Sequence, residues 1–268
     1  MTTQAISNQR IKTSGSTNNL VRIGISVGIA AVIWIVLIIL ANLLSRQPIA
    51  YRILTLLGGS SLGYIQFISY AIAIFALMHL RDLNSHIKGQ FKGFDLKLLP
   101  EEDQLILTPD EVADIKLSVI EIEKRGIFYL VTQFIKNTCT QYRNNQSIPE
   151  TMQVLESQIG NSKEEMDGKL NLIRYLISSV MSVGFIGTII GLASAIGNAH
   201  LANSSEGLSI LTSYLSVAFD TTLVALLLGL ILNYSYTQYL ERMDVFYAKS
   251  KSYVLDNLVS RIYRHAND

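Results

Sequence analysis

The side chains of this sequence that are best suited to chemistry are one carboxylate and three hydroxyls inside long apolar stretches. Asp220 is the single Lys, Arg, Asp or Glu residue in four such stretches. These stretches are Ile23–Ser45, Ile53–Leu80, Tyr175–Ser205 and Gly207–Leu240. Thr221 and Thr222 follow Asp220 directly, and Thr188 lies in the third stretch. An ionisable group in apolar surroundings is costly and marks a path for ions, so a cation path is one candidate role for these residues.

Thr188 and Thr222 occupy matching positions in the last two stretches. Thr188 lies 13 residues after Tyr175, and Thr222 lies 13 residues before Ser235. In two antiparallel helices both hydroxyls would therefore lie roughly 20 Å from the same end. A hydroxyl that bonds the backbone of its own preceding turn explains either threonine alone but not the matched depth. We therefore expect both threonines to line an ion pathway.

Asp220 and Thr222 differ by about 200° around a helix, so their side chains point to different sides. Asp220 instead continues a stripe of three serines, Ser209, Ser213 and Ser216. Two roles stay open for this carboxylate: part of an outer ion path or subunit contact, or a hydrogen-bonded clamp between helices. Thr221 lies about 100° from both neighbours and can join either face.

Small residues recur at helical spacing on one face of each of the last two stretches. They are Gly184, Gly187 and Gly191 in the third stretch, and Ala218, Ala225 and Gly229 in the fourth. Small residues at this spacing let membrane helices approach closely, where packing holds them together. We therefore expect helix packing at these six positions.

The four apolar stretches are each long enough to cross a bilayer, which takes roughly 20 apolar residues. The sequence therefore predicts an all-α membrane protein with four transmembrane helices and excludes a soluble enzyme. The net charge of +1 argues against nucleic-acid binding. Cys139 is the single cysteine, and neither the four histidines nor any nucleotide-binding or hydrolase motif suggests a metal, a cofactor or catalysis. We expect a protein that is not an enzyme.

The basic residues set the predicted orientation. Met1–Arg22, Arg81–Arg174 and the chain after Leu240 hold 20 of the 22 Lys and Arg residues, and the turn Arg46–Arg52 holds the other two. By the positive-inside rule, both termini and the middle region are cytoplasmic. The predicted organisation has five parts. They are a disordered tail at 1–20, a transmembrane hairpin at 21–80, a helical cytoplasmic region at 81–170, a pore-forming hairpin at 171–236 and a cytoplasmic C-terminal helix at 237–268.

Local signals divide these regions further. Gly58-Gly59-Ser60-Ser61 is expected to break the second stretch, which leaves Ile49–Leu57 at the outer interface and the span at Ser61–Leu80. Helix starts are predicted at Thr108-Pro109-Asp110-Glu111, Ser147-Ile148-Pro149-Glu150 and Ser162-Lys163-Glu164-Glu165. The last start leads into the third span without a helix breaker, and the fourth span continues into the tail. Spans 3 and 4 thus extend into the cytoplasm.

Two segments resemble a known family. Gly184-Phe185-Ile186-Gly187-Thr188-Ile189-Ile190-Gly191-Leu192 resembles the third-span signature of the MotA/TolQ/ExbB proton-channel proteins, Gly-Leu-Leu-Gly-Thr-Val-x-Gly. Ala218-Phe219-Asp220-Thr221-Thr222-Leu223-Val224-Ala225-Leu226 is similar to their fourth-span pattern, Ala-Leu-x-x-Thr-x-x-Gly-Leu. Ala225 replaces the family glycine. Thr222 aligns with the family threonine, and Thr221 is the alternative.

The resemblance implies the ring subunit of an ion-driven motor in a bacterial inner membrane. Relatives form a homopentamer around two copies of a single-span partner, of the ExbD, TolR or MotB kind, whose membrane carboxylate carries the ion. Proton or sodium flow then drives mechanical work on the partner and the cell envelope. Two other classes stay open: a secondary transporter, which would be expected to show internal repeats, and a non-conducting membrane scaffold.

Overall fold

The computed structural model describes residues 15–59, 63–101 and 106–262. These residues form seven α-helices joined by turns and short 3-10 segments, and an isolated β-bridge pairs Leu107 with Ile262. The helices are α1 (Gly15–Leu43), α2 (Pro48–Leu56), α3 (Tyr64–Phe91), α4 (Pro109–Lys124), α5 (Leu130–Asn145), α6 (Ile148–Gly197) and α7 (Ser205–Asn257). The predicted all-helical class is confirmed. The first 14 residues of the predicted tail lie outside the described residues.

Four of the helices, α1, α3, α6 and α7, are long and apolar enough to cross a membrane. The prediction of four spans is therefore confirmed, and the chain is a multi-pass membrane protein. The helices α6 and α7, with 50 and 53 residues, are far longer than the roughly 20 residues that a bilayer needs.

The second apolar stretch is broken at its glycines, as predicted. Helix α2 ends at Leu56, and α3 begins at Tyr64 rather than at Ser61; residues 60–62 lie outside the described residues. Gly58 has a φ of +104°, which favours glycine. A Cβ on Gly59 would lie 2.8 Å from the carbonyl oxygens of Leu37 and Leu54, so the chain passes too close for any side chain.

The chain divides into two compact units. The first consists of Met1–His79 and Ile173–Ser235, and the second of Leu80–Leu172 and Tyr236–Asp268, each within its described residues. The core of the second unit contains fully buried aliphatic side chains and an aromatic cluster. Members of this core include Ile87, Leu99, Ile135, Leu155, Leu170, Met243, Phe246 and Leu258.

The predicted starts of α4 and α6 are confirmed, but the third predicted start is wrong. Thr108 and Glu111 form a capping box at the start of α4, and α6 begins after Ser147. Ser162 lies inside α6, which runs unbroken from Ile148 to Gly197. Its hydroxyl lies 3.1 Å from the Tyr247 hydroxyl, so this serine makes a contact within the second unit and does not cap a helix.

Candidate functional site

The helices α6 and α7 pack backbone to backbone in the first unit. Gly184 faces Ala225, Gly187 faces Thr221, and Gly191 faces Ala218. A Cβ added at Gly191 would lie 2.9 Å from the Ala218 backbone nitrogen, and one at Gly187 would lie 2.6 Å from the Thr221 Oγ1 atom. Helix backbones this close leave no room for side chains at these glycines.

Contact between the helices is looser toward Gly229. A Cβ on Gly229 would lie 3.2 Å from Cγ of Met181, an unbranched side chain that can yield. The closest approach therefore lies along the three α6 glycines.

Thr188 and Thr222 meet at this closest approach, because the glycines on either side bring the two helices together. Their hydroxyls hydrogen-bond to each other. The Thr188 Oγ1 lies 3.1 Å from the Ala218 carbonyl oxygen on α7, and the Thr222 Oγ1 lies 3.3 Å from the Gly184 carbonyl oxygen on α6. The structure thus joins the two threonines at one level of the helix pair.

The threonine pair has fewer hydrogen-bond donors than acceptors, and this imbalance determines what it can bind. Each hydroxyl carries one proton and can both donate and accept. Two hydroxyls and two carbonyl oxygens therefore share two hydroxyl protons, which leaves oxygen lone pairs available for a cation. Both threonine residues are half-buried.

Thr221 has different surroundings from its neighbour Thr222. It is 1% exposed, and its hydroxyl donates to the Ala218 carbonyl oxygen of its own helix at 3.0 Å. Its side chain faces Gly187. These contacts make Thr221 a packing residue between α6 and α7, whereas Thr222 presents its hydroxyl to Thr188.

Asp220 forms a bidentate ion pair with Arg52 of α2. The two terminal nitrogens of Arg52 donate to the two carboxylate oxygens at 2.6 and 2.7 Å. The Ser216 hydroxyl lies 3.4 Å from Oδ2. The carboxylate is buried, with 5% of the residue exposed. Of the two roles left open by the sequence, this contact has the geometry of a clamp between helices.

Asp220 and Thr222 therefore serve different partners, as their angular separation predicts. Arg52 is a site residue that the sequence does not indicate, since its position marks it only as one of two basic residues in a turn. The available signal was that a lone membrane carboxylate needs a partner. Arg46 and Arg52 are the two basic residues that the predicted outer turns contain.

The described residues contain no group of three or more His, Cys, Asp or Glu side chains that could hold a metal ion. Cys139 in α5 is buried, and burial raises the pKa of its thiol to about 12.

Comparison with known proteins gives one match. Residues 128–251 match the family model described as the MotA/TolQ/ExbB proton channel family. The matched segment contains α5, the whole of α6 and all but the end of α7, and so includes the threonine pair. No curated protein and no solved structure matches the chain significantly.

Proposed function

We propose that this multi-pass membrane protein, whose residues 128–251 match the model of the MotA/TolQ/ExbB proton channel family, is the ring-forming subunit of an ion-driven motor. Proton or sodium ions move down their gradient beside α6 and α7, and their flow does mechanical work on a single-span partner and the cell envelope. The protein needs no covalent chemistry for this task, and we propose that it is not an enzyme.

The observation that carries this proposal is the threonine pair at the closest approach of α6 and α7. Thr188 and Thr222 hold hydroxyl and carbonyl oxygens together in an otherwise apolar region. Oxygen atoms of this kind can replace the hydration shell of a passing cation. They also orient a proton donor or acceptor that a partner helix brings beside them.

The partner in this proposal is a single-span protein of the ExbD, TolR or MotB kind, and two copies lie inside a ring of five chains. Large apolar side chains on α6 and α7 are exposed in one copy and are available for such contacts. They include Phe185 (62%), Phe219 (66%), Leu230 (66%) and Tyr234 (70%). Surfaces of this kind can face lipid, a neighbouring copy or the partner helix.

The proposed location is a bacterial inner membrane with both termini in the cytoplasm. The 20 basic residues on one side of the spans support this orientation. The membrane potential then supplies about 2.3 kcal/mol per elementary charge per 100 mV. Each ion therefore contributes a modest step, and several ions combine to do useful work.

Replacing Thr222 with valine tests the threonine pair. Thr222→Val keeps the shape of the side chain but removes the hydroxyl, so ion-driven activity should be lost while the assembled complex is retained. Ion flux is measured in vesicles that contain the complex purified from membranes, with an imposed proton or sodium gradient. Thr212→Val is the matched control, because Thr212 is exposed on the same helix and bonds only carbonyl oxygens of its own preceding turn in the described contacts.

Wild-type flux in Thr222→Val would contradict the role of the threonine pair.

The ring itself is tested by native mass spectrometry of the purified complex. Five copies of the chain with a co-purifying single-span protein are expected, and a monomer or simple dimer would contradict the motor.

A further inference from the structure

Helix α2 lies at the surface of the first unit. Its nine residues include no buried side chain. The turn that follows it is held by two hydrogen bonds: the Trp34 indole donates to the Gly58 carbonyl oxygen at 2.9 Å, and the Tyr70 hydroxyl donates to the Leu57 carbonyl oxygen at 2.8 Å. The body of α2 is joined to α7 through Arg52 and Asp220. Helix α2 also contacts α1, and the ion pair joins it to α7.

The two members of this pair differ in their access to the surroundings. The Asp220 side chain is 7% exposed, whereas the Arg52 side chain is 52% exposed. Both carboxylate oxygens accept hydrogen bonds from the Arg52 guanidinium. A cation that approaches the carboxylate from the open side must therefore meet or displace this guanidinium.

A row of hydroxyls leads toward the same carboxylate. Ser209 and Ser213 are exposed on α7, and the half-buried Ser216 lies next to Asp220. The row runs about 17 Å along the helix, from near the α6–α7 turn to Asp220. Asp220 in turn lies about 3 Å along the axis from Thr222. Along the axis of α7 the ion pair therefore lies between the row and the threonine pair, but Asp220 and Thr222 face different sides of the helix.

We propose that Arg52 and Asp220 form a cation gate at the Asp220 end of the serine row, in which an arriving cation and the Arg52 guanidinium compete for one carboxylate. This inference deepens the proposed function and rests on it. A fixed guanidinium repels cations, so the path is closed while the pair is intact. A proton or sodium ion that binds the Asp220 carboxylate releases Arg52, which keeps its own proton, and the pair re-forms when the ion moves on.

The alternative is a clamp that only holds α2 against α7. A clamp needs a contact but not a carboxylate that exchanges ions. The double variant Arg52→Gln with Asp220→Asn separates the two roles, because paired amides keep a hydrogen-bonded contact of similar size and remove both charges. The gate predicts an assembled complex that has lost ion flux, whereas a clamp predicts wild-type flux.

The single variant Arg52→Gln gives the second measurement. It removes the barrier and leaves the carboxylate, so the gate predicts an ion leak above the wild-type level. Arg46→Gln is the matched control, because it removes the same charge from the turn that precedes α2, where Arg46 is exposed. Its flux should equal that of the wild type.

Flux is measured in vesicles containing the complex purified from membranes, with a pH-sensitive dye for protons and a sodium-sensitive dye for sodium. Wild-type flux in the double variant, or a double variant that does not assemble, would overturn the gate. Ion flux through the wild type and through Thr222→Val is measured in the same experiment as flux through the double variant. A wild-type complex that passes neither ion would overturn the proposed function itself, whereas loss of flux in Thr222→Val with normal flux in the double variant would overturn the gate alone.

Discussion

At the scale of single residues, three consecutive side chains of α7 make three different contacts. Asp220 pairs with Arg52 on α2, Thr221 packs against Gly187, and Thr222 pairs with Thr188. Successive residues of a helix point about 100° apart, so three side chains within one turn of α7 contact three different neighbours. The sequence predicts this divergence from angles alone. The identity of Arg52 as the partner depends on how the chain folds back through α2, which periodicity does not encode.

The glycines of α6 differ sharply in what a side chain would meet, and this difference gives a residue-scale prediction. A Cβ at Gly191 would lie 2.9 Å from backbone atoms of Ala218, which cannot move aside without shifting α7. Gly191→Ala should therefore destabilise the protein by about 1–3 kcal/mol, as expected for overpacking. Thermal unfolding in detergent, followed by circular dichroism, measures this change.

Gly168→Ala is the matched control within the same helix. Nothing lies within 4 Å of a Cβ at Gly168, and alanine in a helix interior is favoured over glycine by roughly 0.5–1 kcal/mol. This variant should be as stable as the wild type or more so. Equal effects of the two substitutions would show that the α6–α7 contact is not as close as the structure describes.

At the scale of elements, the start of α4 depends on a reciprocal cap. The Glu111 carboxylate accepts from the Thr108 backbone N–H at 2.7 Å and from the Thr108 hydroxyl at 2.9 Å. These hydrogen bonds lower the pKa of Glu111 below its ordinary value of 4.5. The cap therefore contributes stability above the ordinary pKa, and this contribution is lost as the pH falls through the lowered pKa of the folded state.

This linkage predicts an acid-dependent fraying of the first turn of α4. Amide hydrogen exchange in this turn, corrected for the intrinsic effect of pH, should become faster relative to the rest of α4 as the pH falls below 4.5. Glu111→Gln should remove most of this pH dependence, since glutamine does not titrate. Glu121→Gln is the control, because Glu121 is exposed on the same helix. The same acid response in wild type and Glu111→Gln would contradict the cap.

The elements show which signals in a sequence are reliable. Caps followed by proline predict the starts of α4 and α6, because the cap and the fixed proline φ act locally. Ser162-Lys163-Glu164-Glu165 has a similar pattern, but Ser162 contacts Tyr247, which is distant in sequence. The apolar spacing from Val112 to Phe134 also gives no sign of the break between α4 and α5. That break lies at Gly126, whose φ is +84°.

At the scale of the whole molecule, the distribution of charged residues is enough to predict a membrane protein with four spans. The four stretches with at most one charged residue correspond to the four long apolar helices. The equal spacing of Thr188 and Thr222 from the same end of their helices likewise predicts that they meet, because the rise per residue of a straight helix is constant. The subunit number, the partner and the conducted ion are properties of an assembly. One chain's sequence contains them only through its likeness to a family.

Membrane orientation is the whole-molecule property that the sequence predicts most directly and that cysteine labelling can measure. The proposed orientation places the turn between α6 and α7 on the outer side of the inner membrane and α4 on the cytoplasmic side. Ala202→Cys in that turn should react with a membrane-impermeant thiol reagent in intact cells, because Ala202 is exposed. Leu117→Cys in α4, where Leu117 is 58% exposed, should react only after the membrane is permeabilised.

The native cysteine provides the background for this experiment. Cys139 is 1% exposed, and burial raises the pKa of its thiol to about 12. Very little thiolate, the reactive form, is therefore present at neutral pH, and the parent chain should remain unlabelled in both conditions until it is denatured. Labelling of Leu117→Cys in intact cells, with Ala202→Cys protected, would reverse the orientation. The serine row would then open toward the cytoplasm, and the direction of ion entry proposed for the cation gate would have to be reversed with it.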